Sequence, residues 1–469
     1  MTEHKTDILI IGGGPTGLGA ATRLQEKGAD WHLLEAGAEF GGLACSFVDD
    51  NGFTWDLGGH VQFSHYDTFD RYMKLALGDD GWLTHQRESW VWIRNRWVPY
   101  PFQNNLHRLD PADRWAALEG LLQAGEAAAK PGAPRPANFL EWMVATFGQG
   151  ITDLFMRPYN FKVWAWPGET MDFGWIGERV AVPALKGVLK SVCTGEDAVS
   201  WGPNAVFQFP KRGGTGAIWR AVGAMLPTER VTLGVPVTGI DAKGRFLLTE
   251  NGDVWRYRRL VSTIPLNHLI RMAPGVVDAG VADRLRYSAT NVVGVGLSGQ
   301  PPEHLKTKCW MYFPESNSPY YRVTVFSNYS PGNVPVPGAQ WSLMTETAES
   351  DAKPVDVAGL AGDTVRALRE DGMIPEGTEI LSVAHRRLAQ GYPTPFLGRD
   401  ALVDPALRAF EAAEIYSRGR FGAWKYEVAN QDHSFAQGYE CAERLLARGG
   451  PGHEPTLHTP SVVNARRNP

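Results

Sequence analysis

The opening of this 469-residue chain constrains its fold more than any other feature, because a short apolar run is followed at once by clustered glycines. Residues 7–11 are typical of a β-strand. Gly12, Gly14 and Gly17 follow in the spacing GxGxxG and open a helix that is expected to stop at Gly28. Such glycines let the backbone approach a pyrophosphate, which the helix N-terminus then stabilises. The pattern predicts a βαβ unit that binds a dinucleotide.

The acid that follows this unit narrows the choice of cofactor. A second strand, Trp31–Leu34, ends at Glu35, whose carboxylate can accept ribose hydroxyls and would repel a 2′-phosphate. A turn with Gly42 and Leu43 and then a hairpin come directly after it, and a late glycine turn and helix lie at 420–446. A cofactor held by both ends of the chain is the plan of FAD-containing oxidoreductases. The sequence therefore predicts FAD.

The remaining segments predict an α/β protein built around this cofactor domain. Helical periodicity at 113–129 and 138–148 indicates an inserted helical domain, and strand-like runs between 285 and 385 favour an antiparallel sheet. The expected domains are a discontinuous Rossmann-like FAD-binding domain (1–92, 204–270 and 385–449), a helical substrate domain (93–203), an antiparallel β-sheet domain (271–384) and a flexible tail (450–469).

Composition excludes several classes of function. A net charge of −5 gives no electrostatic case for nucleic-acid binding. The four cysteines are widely spaced and form no CxxC pair, so neither a metal site nor a disulfide framework is expected. No signal peptide or membrane-spanning run is visible, and we expect a cytoplasmic protein that does not bind membranes.

One strand-like stretch, SPYYRVTVFSNYS (318–330), carries a charge where a strand core is normally apolar. Arg322 follows two tyrosines and has no acid nearby in sequence. A guanidinium is costly to bury unless an anion meets it, so this arginine either snorkels from an edge strand or awaits an anionic ligand. Arg179 poses the same question, and its simplest alternative is a local ion pair with Glu178.

Several stretches together resemble one known family. GGGPTGLGAA, GFTWDLGGHV, WVPYPFQNN, LFMRPYNFKVWA, RGGTGAIW and GRFGAWKYEVANQDHSF, in order between about residues 7 and 446, are similar to the UDP-galactopyranose mutases, particularly the eukaryotic-type branch. In that family N5 of reduced FAD attacks the anomeric carbon of the sugar and displaces UDP. The resulting covalent adduct opens and recloses, so a pyranose becomes a furanose without net redox change.

The resemblance also implies partners and leaves an alternative. It implies a UDP-sugar substrate, NADPH or NADH as the reductant, and a homodimer or higher oligomer. An FAD-dependent oxidase or desaturase on the same fold is the alternative. Gln62, Trp166 and Gln208 depart from the family pattern, which leaves the identity of the sugar open.

Matching positions receive roles from the same resemblance. The expected catalytic residues are Arg179 and Arg322, which would meet the diphosphate, and Gly59 and His60, in the loop beside the flavin ring. The expected cofactor-binding residues are Gly12, Gly14, Thr16, Gly17, Glu35, Gly42, Leu43, Gly59, His60, Arg87, Arg420, Asn430, Gln431 and Ser434. The expected substrate-binding residues are Tyr100, Phe102, Gln103, Asn160, Trp164, Arg179, Asn204, Tyr312, Arg322, Tyr392 and Tyr426. Asp432 and Ser434 are also expected to cap the final helix.

Overall fold

The structure, a computed structural model, describes residues 2–132, 134–177, 179–199 and 205–465. Within these ranges, two seven-stranded sheets and the helices packed on them give a mixed α/β fold, which confirms the predicted fold class. Asn204, expected to bind substrate, and Glu178, the alternative partner of Arg179, lie outside the described residues.

The strands range from two to 14 residues in length. In chain order they are β1 (Glu3–Ile11), β2 (Trp31–Leu34), β3 (Ser46–Val48), β4 (Thr54–Asp56), β5 (Trp82–Gln86), β6 (Ser89–Ile93), β7 (Arg96–Pro99), β8 (Val206–Pro210), β9 (Val231–Thr232), β10 (Val237–Asp241), β11 (Phe246–Thr249), β12 (Val254–Ser262), β13 (Tyr287–Ser298), β14 (Trp310–Tyr312), β15 (Arg322–Val325), β16 (Gln340–Glu349), β17 (Ile380–Pro393) and β18 (Ile415–Ser417).

The helices are distributed along the described parts of the chain. They are α1 (Pro15–Glu26), α2 (Asp67–Leu77), α3 (Pro111–Ala128), α4 (Phe139–Ile151), α5 (Arg157–Trp164), α6 (Leu185–Thr194), α7 (Gly216–Ala224), α8 (Leu266–Met272), α9 (Ala279–Arg284), α10 (Phe326–Tyr329), α11 (Leu360–Glu370), α12 (Arg399–Ala412), α13 (Gln431–Ala447), α14 (Pro455–His458) and α15 (Pro460–Asn464). A π-helical turn, Thr152–Met156, joins α4 to α5.

The first sheet carries the predicted βαβ unit. Its strand order is β10-β11-β12-β1-β2-β9, with β18 also paired to β12. β1 runs parallel to both β2 and β12, and Ile10 lies opposite Leu33 and Val261 in this register. These three side chains are fully buried, as expected for a parallel sheet covered on both faces. α1 and the late helix α13 pack together, so both ends of the chain build this domain.

The second sheet has the order β17-β13-β16-β15-β14-β6-β7. Its pairs are antiparallel except β14 with β6. The sheet therefore includes strands from before residue 100 and extends past residue 384, whereas the sequence suggested that it lies within 271–384. Non-local pairing of this kind leaves no local trace in the sequence, because each strand looks the same whichever neighbour it pairs with.

The C-terminal segment, defined here as residues 451–464, differs from the flexible tail that its Gly, Pro and Arg content suggested. Glu454 is fully buried and forms ion pairs with Arg418 and Arg444, and Leu457 and Val463 are also buried. The expectation fails because two ion pairs and the burial of apolar side chains outweigh a composition that by itself favours disorder. None of the helices in the described ranges has both the length and the apolar character needed to cross a membrane.

Candidate active site

A cavity of about 1090 Å³ is lined by residues of both sheets and of α4, α5 and the start of α13. This volume exceeds the range of about 300–1,000 Å³ typical of pockets for a single small ligand. It brings together nearly all of the residues expected to bind cofactor or substrate. The exceptions are Gly17 and Phe102, which are not part of the lining, and Asn204, which is not described.

The glycine loop after β1 forms one end of the cavity. Gly12 has φ 101°, and a Cβ there would lie 2.1 Å from the Thr263 hydroxyl oxygen. A Cβ on Gly17 would lie 1.8 Å from the Gly12 carbonyl oxygen, so Gly17 lets α1 pack on the loop without reaching the cavity itself. Thr16 and Leu43 line the same end. The loop thus presents backbone and a helix N-terminus to a ligand, as pyrophosphate binding requires.

Glu35 stands where β2 ends and faces the cavity. Its Oε2 accepts a hydrogen bond from the Gly13 amide and its Oε1 accepts one from the Gly37 amide at 2.6 Å. A carboxylate offers about four acceptor positions, so two backbone donors leave capacity for both hydroxyls of a ribose. The backbone bonds fix the carboxylate at the position that the dinucleotide motif requires.

The start of α13 and its preceding turn close the opposite side of this end. Asn430 is the N-cap residue, and Gln431 Oε1 accepts a hydrogen bond from Trp219 Nε1 at 2.7 Å. No side chain caps the helix: the carboxylate of Asp432 instead accepts hydrogen bonds from the backbone amide and Nδ1 of His65. The expectation that Asp432 caps α13 is therefore wrong, because a buried histidine competes for it.

Gly59 and His60 lie in the loop after β4 and line the middle of the cavity. The Gly59 amide donates to Glu346 Oε1 at 2.9 Å. Burial, assisted by the neighbouring Arg420 guanidinium, lowers the pKa of His60 to about 4, so its ring is neutral near pH 7. The buried His60 Nδ1 and Arg420 Nε have no hydrogen-bond partner among the described residues. Unpaired buried donors and acceptors beside an open glycine loop fit a polar ring system such as a flavin.

Arg322 lies at the start of β15, directly opposite Glu346 of β16. Its Nε and Nη2 donate to the two Glu346 oxygens at 2.8 and 2.7 Å, and the Tyr321 hydroxyl donates to Oε2 at 2.8 Å. Burial would raise the pKa of Glu346, but the Arg322 charge holds it below its usual range. The fold therefore brings to Arg322 a carboxylate that lies 24 residues away in the sequence.

The Arg322–Glu346 pair does not use every donor of the guanidinium. Arg322 Nη1 makes no hydrogen bond to another described residue, and the side chain lines the cavity with 17% of its surface exposed. A bidentate pair that leaves one amino group free can still meet a second anion. Glu346 thus holds the arginine in place and leaves Nη1 available to a ligand.

Arg179 approaches the cavity from the helical insertion. Its Nη2 donates to the Glu427 carbonyl oxygen at 2.6 Å, and its guanidinium lies over the Tyr426 ring, 5.7 Å from the centroid. Tyr426 packs edge-on against Trp164, with centroids 4.7 Å apart. These contacts place the arginine, the tyrosine and the tryptophan on one wall of the cavity.

The other expected substrate residues surround the same space. Arg87 Nη2 donates to the Tyr312 hydroxyl at 3.0 Å and stacks beside Tyr100, while Arg420 lies over the Tyr392 ring at 4.7 Å. Burial and the nearby Tyr312 raise the pKa of Tyr100 to about 12, so its hydroxyl keeps its proton.

Two amide side chains continue this wall. Asn160 donates to the Met156 carbonyl at 2.7 Å, and Gln103 donates to the Ala181 carbonyl. The Gln103 Oε1 atom is buried without a partner among the described residues. An unpaired acceptor in the lining suits recognition of a base edge.

Phe102 departs from the expected role. It is fully buried and stacks on Phe155 with ring centroids 4.8 Å apart, and Phe155 is the ring that faces the cavity. An aromatic residue beside a binding motif often belongs to the core. Phe102 lies behind Phe155 and does not line the cavity.

The sequence and the fold of this chain are both similar to those of known flavoproteins. A family model for flavin containing amine oxidoreductases matches residues 15–446. The crystal structure of a reduced UDP-galactopyranose mutase superimposes with a TM-score of 0.94 at 48% sequence identity and covers 98% of each chain. The chain belongs to the UDP-galactopyranose mutase family.

More distant relatives share only the fold of the mutase family. A putrescine oxidase bound to putrescine superimposes with a TM-score of 0.61 at 15% identity, covering 95% of this chain and 100% of the other. Amine oxidase [flavin-containing] A of Sus scrofa is 24% identical over 286 residues, 56% of this chain. The match spans about half the length of that amine oxidase.

Glu346, Tyr159 and Tyr321 are among the lining residues that the sequence did not predict. Glu346 lies 2% exposed between Arg322 and Gly59, while Tyr159 and Tyr321 complete the aromatic wall. The available signal was a charged residue inside β16, because Glu346 stands among uncharged residues there. Arg322 begins β15, and the two charges predict each other only when the strands are known to pair.

Proposed function

We propose that this protein is a flavin-dependent isomerase that interconverts the pyranose and furanose forms of a nucleotide sugar, with UDP-galactopyranose and UDP-galactofuranose as its substrates. The observation that carries the proposal is the joining of two sites in one cavity. A dinucleotide cradle built on Gly12 and Glu35 opens directly onto a wall that presents Arg322, Arg179 and several tyrosines. The 48% identity over nearly the whole of a mutase chain supports it.

The cofactor proposed for the cradle is FAD. Gly12, Glu35 and the N-terminus of α1 suit its ribose and pyrophosphate, and Gly59, His60 and Arg420 suit its ring. When bound in its reduced form, FAD supplies the nucleophile that takes the anomeric carbon of the sugar from UDP. The residues of the chain then have to bind the departing diphosphate, hold the sugar and exclude water.

The two arginines stabilise the charge of the leaving UDP. Glu346 neutralises one positive charge of the site but leaves Arg322 Nη1 to donate to a phosphate oxygen. Arg179 adds a second guanidinium, and the hydroxyls of Tyr312, Tyr392 and Tyr426 donate without adding charge. Such donors act strongly because the wall is buried and excludes water.

The sugar would lie between this wall and the flavin loop. Trp164 and Asn160 bound the space from α5, and the neutral ring of His60 bounds it from the loop. A neutral imidazole adds no positive charge that would compete with the arginines for the diphosphate. Tyr100 and Gln103 are placed to receive the base of the nucleotide.

The proposal extends to the reductant and the domains. Because the reaction needs reduced flavin, a reductant is required, and we assign this role to NADPH or NADH. The cofactor domain then comprises the first sheet with α1 and α13, the substrate domain comprises α3 to α6, and the second sheet closes the site between them.

The test is an anaerobic assay of the flavin-loaded protein. The protein is reduced with dithionite and mixed with UDP-galactofuranose, and UDP-galactopyranose is followed by chromatography. The expected result is conversion by the reduced protein and none by the oxidised protein. Failure to convert this pair and a panel of other nucleotide sugars, with oxygen consumed in the presence of amines, would favour an oxidase instead.

A further inference from the structure

We propose that the C-terminal segment is a positioning element of the substrate site and that Asn464 is the residue through which it acts. The inference rests on the proposed function, because it concerns binding of the diphosphate of a nucleotide sugar. Its starting point is the short 3₁₀ turn Tyr426–Val428, which carries Tyr426 on the cavity wall and presents the Glu427 carbonyl oxygen to Arg179.

The Glu427 carbonyl oxygen receives two donors from opposite directions. Arg179 Nη2 donates from the cavity side at 2.6 Å, and Asn464 Nδ2 donates from the C-terminal segment at 3.0 Å. A carbonyl oxygen has two lone pairs, so the two bonds together fill its acceptor capacity. Asn464 thus fixes the acceptor that Arg179 uses.

Asn464 is itself held by a buried network. Its Oδ1 lies 2.8 Å from His433 Nε2, and because an amide oxygen only accepts, the histidine is the donor. His433 Nδ1 lies 3.2 Å from Asp432 Oδ1 but makes no hydrogen bond there, and the Asp432 carboxylate accepts a hydrogen bond from Nδ1 of His65 at 2.7 Å. His65 ends the loop that carries Gly59 and His60, so the network joins both loops that flank the proposed flavin ring.

The segment is anchored independently of Asn464. Glu454 forms ion pairs with Arg418 and Arg444, and Thr456 bonds both Glu440 and the Tyr66 hydroxyl, the latter at 2.8 Å. These bonds fix the segment on α13 and beside the flavin-side loop. Arg399 still holds the Glu427 carboxylate, so removal of the Asn464 amide should loosen only the Glu427 carbonyl oxygen, without unfolding the turn or detaching the segment.

The expected effect falls on the grip on the diphosphate. Arg179 and Tyr426 would contact the diphosphate both in the bound substrate and as UDP departs, so loosening them weakens UDP binding and lowers kcat/KM. A purely structural role for Asn464 would instead lower the melting temperature or the FAD content.

The experiment measures the binding of UDP to the oxidised, FAD-loaded protein by calorimetry. Asn464→Ala removes both bonds, and Asn464→Asp keeps the acceptor for His433 but loses the donor to Glu427. Loss of one hydrogen bond predicts that both variants bind UDP about five-fold more weakly than the wild type. Ser461→Ala, an exposed position on the same helix, is the matched control and should bind as the wild type does.

A second measurement keeps the test decisive. In an Arg179→Ala background, Asn464→Ala should weaken UDP binding less than it does in the wild type, because the arginine that uses the carbonyl is gone. Unchanged binding in both Asn464 variants, or full additivity with Arg179→Ala, would overturn the role of Asn464. A wild-type protein that binds no UDP would overturn the proposed substrate instead.

Discussion

Arg322 and Arg418 are both held by buried carboxylates, but only Arg322 keeps a donor in reserve. Arg418 is fully buried and spends all its nitrogens on Glu454, Glu411 and the Ser417 carbonyl. Arg322 spends Nε and Nη2 on Glu346 and leaves Nη1 at the cavity. The same side chain therefore serves as a closed structural contact in one place and as an open binding group in the other.

The difference between Arg322 and Arg418 shows how the role of a buried arginine can be inferred from its hydrogen bonds. Removal of water from a guanidinium is costly, and a buried arginine is therefore usually matched by acids. A buried arginine whose N–H donors are all bonded to protein acceptors has a structural role. A buried arginine that keeps an unbonded donor facing a cavity indicates an anionic ligand.

The largest effect is expected from substitution of Arg322, the arginine with a free donor at the cavity. Arg322→Lys keeps a positive charge beside Glu346 but loses the forked donors, and we expect kcat/KM to fall by at least about 100-fold with FAD still bound. Arg322→Ala should abolish turnover. Arg386→Lys, an exposed arginine on β17, is the control. Near-normal activity of the Arg322 variants, measured with flavin absorbance as the loading check, would make this arginine part of the scaffold.

The next largest effect is expected from substitution of Arg418, the arginine whose nitrogens are all bonded within the protein. Arg418→Met leaves the buried Glu454 without its main partner, and we expect the free energy of unfolding to fall by about 3–5 kcal/mol. Denaturant titration of the flavin-loaded protein measures it. Activity per bound flavin should fall far less than in Arg322→Lys. An unchanged midpoint would show that Arg444 alone satisfies the acid.

Glu35 and Glu26 show the same contrast between a binding residue and a structural residue, with smaller expected effects. Glu35 is bonded by backbone amides but faces the cavity, whereas Glu26 ties helices together. Glu35→Ala should weaken FAD retention at least about tenfold, because the charged acceptor for the ribose is lost. Ultrafiltration followed by flavin absorbance measures retention, with the exposed Glu39→Ala as control. Equal flavin content in both variants would contradict the role of Glu35.

Glu26 gives the smallest effect and a pH signature. It accepts hydrogen bonds from Tyr72, Arg23, Tyr439 and Arg71, and these outweigh burial and lower its pKa to about 2. Its contribution is thus complete above its ordinary pKa and is lost as the pH falls toward 2.

The test of this signature compares Glu26→Gln with the wild type. At pH 7 the variant should be less stable by about 1 kcal/mol, and the difference should shrink between pH 5 and pH 2. Denaturant unfolding at several pH values measures it. A difference that stays constant across this range would mean that the charge of Glu26 does not contribute.

How much of this could be read from the sequence depends on the distance between the residues that cooperate. The βαβ unit, Gly12 and Glu35 follow from local spacing and lie where the motif predicts. Arg322 was recognised as anomalous, but its partner Glu346 became visible only through the register of β15 with β16. The ordered C-terminal segment was missed for the same reason, since Glu454 meets Arg418 across a fold that composition does not encode.

The packing of α1 against α13 has a consequence for how the protein is made. The glycine loop leaves the ribosome first, but Asn430 and Gln431, which complete the proposed cofactor pocket, follow more than 400 residues later. At the usual 5–20 residues per second, this interval lasts about 20 s or longer. The proposed pocket is therefore complete only after α13 has been made, so its two halves cannot enclose a cofactor before the chain is nearly finished.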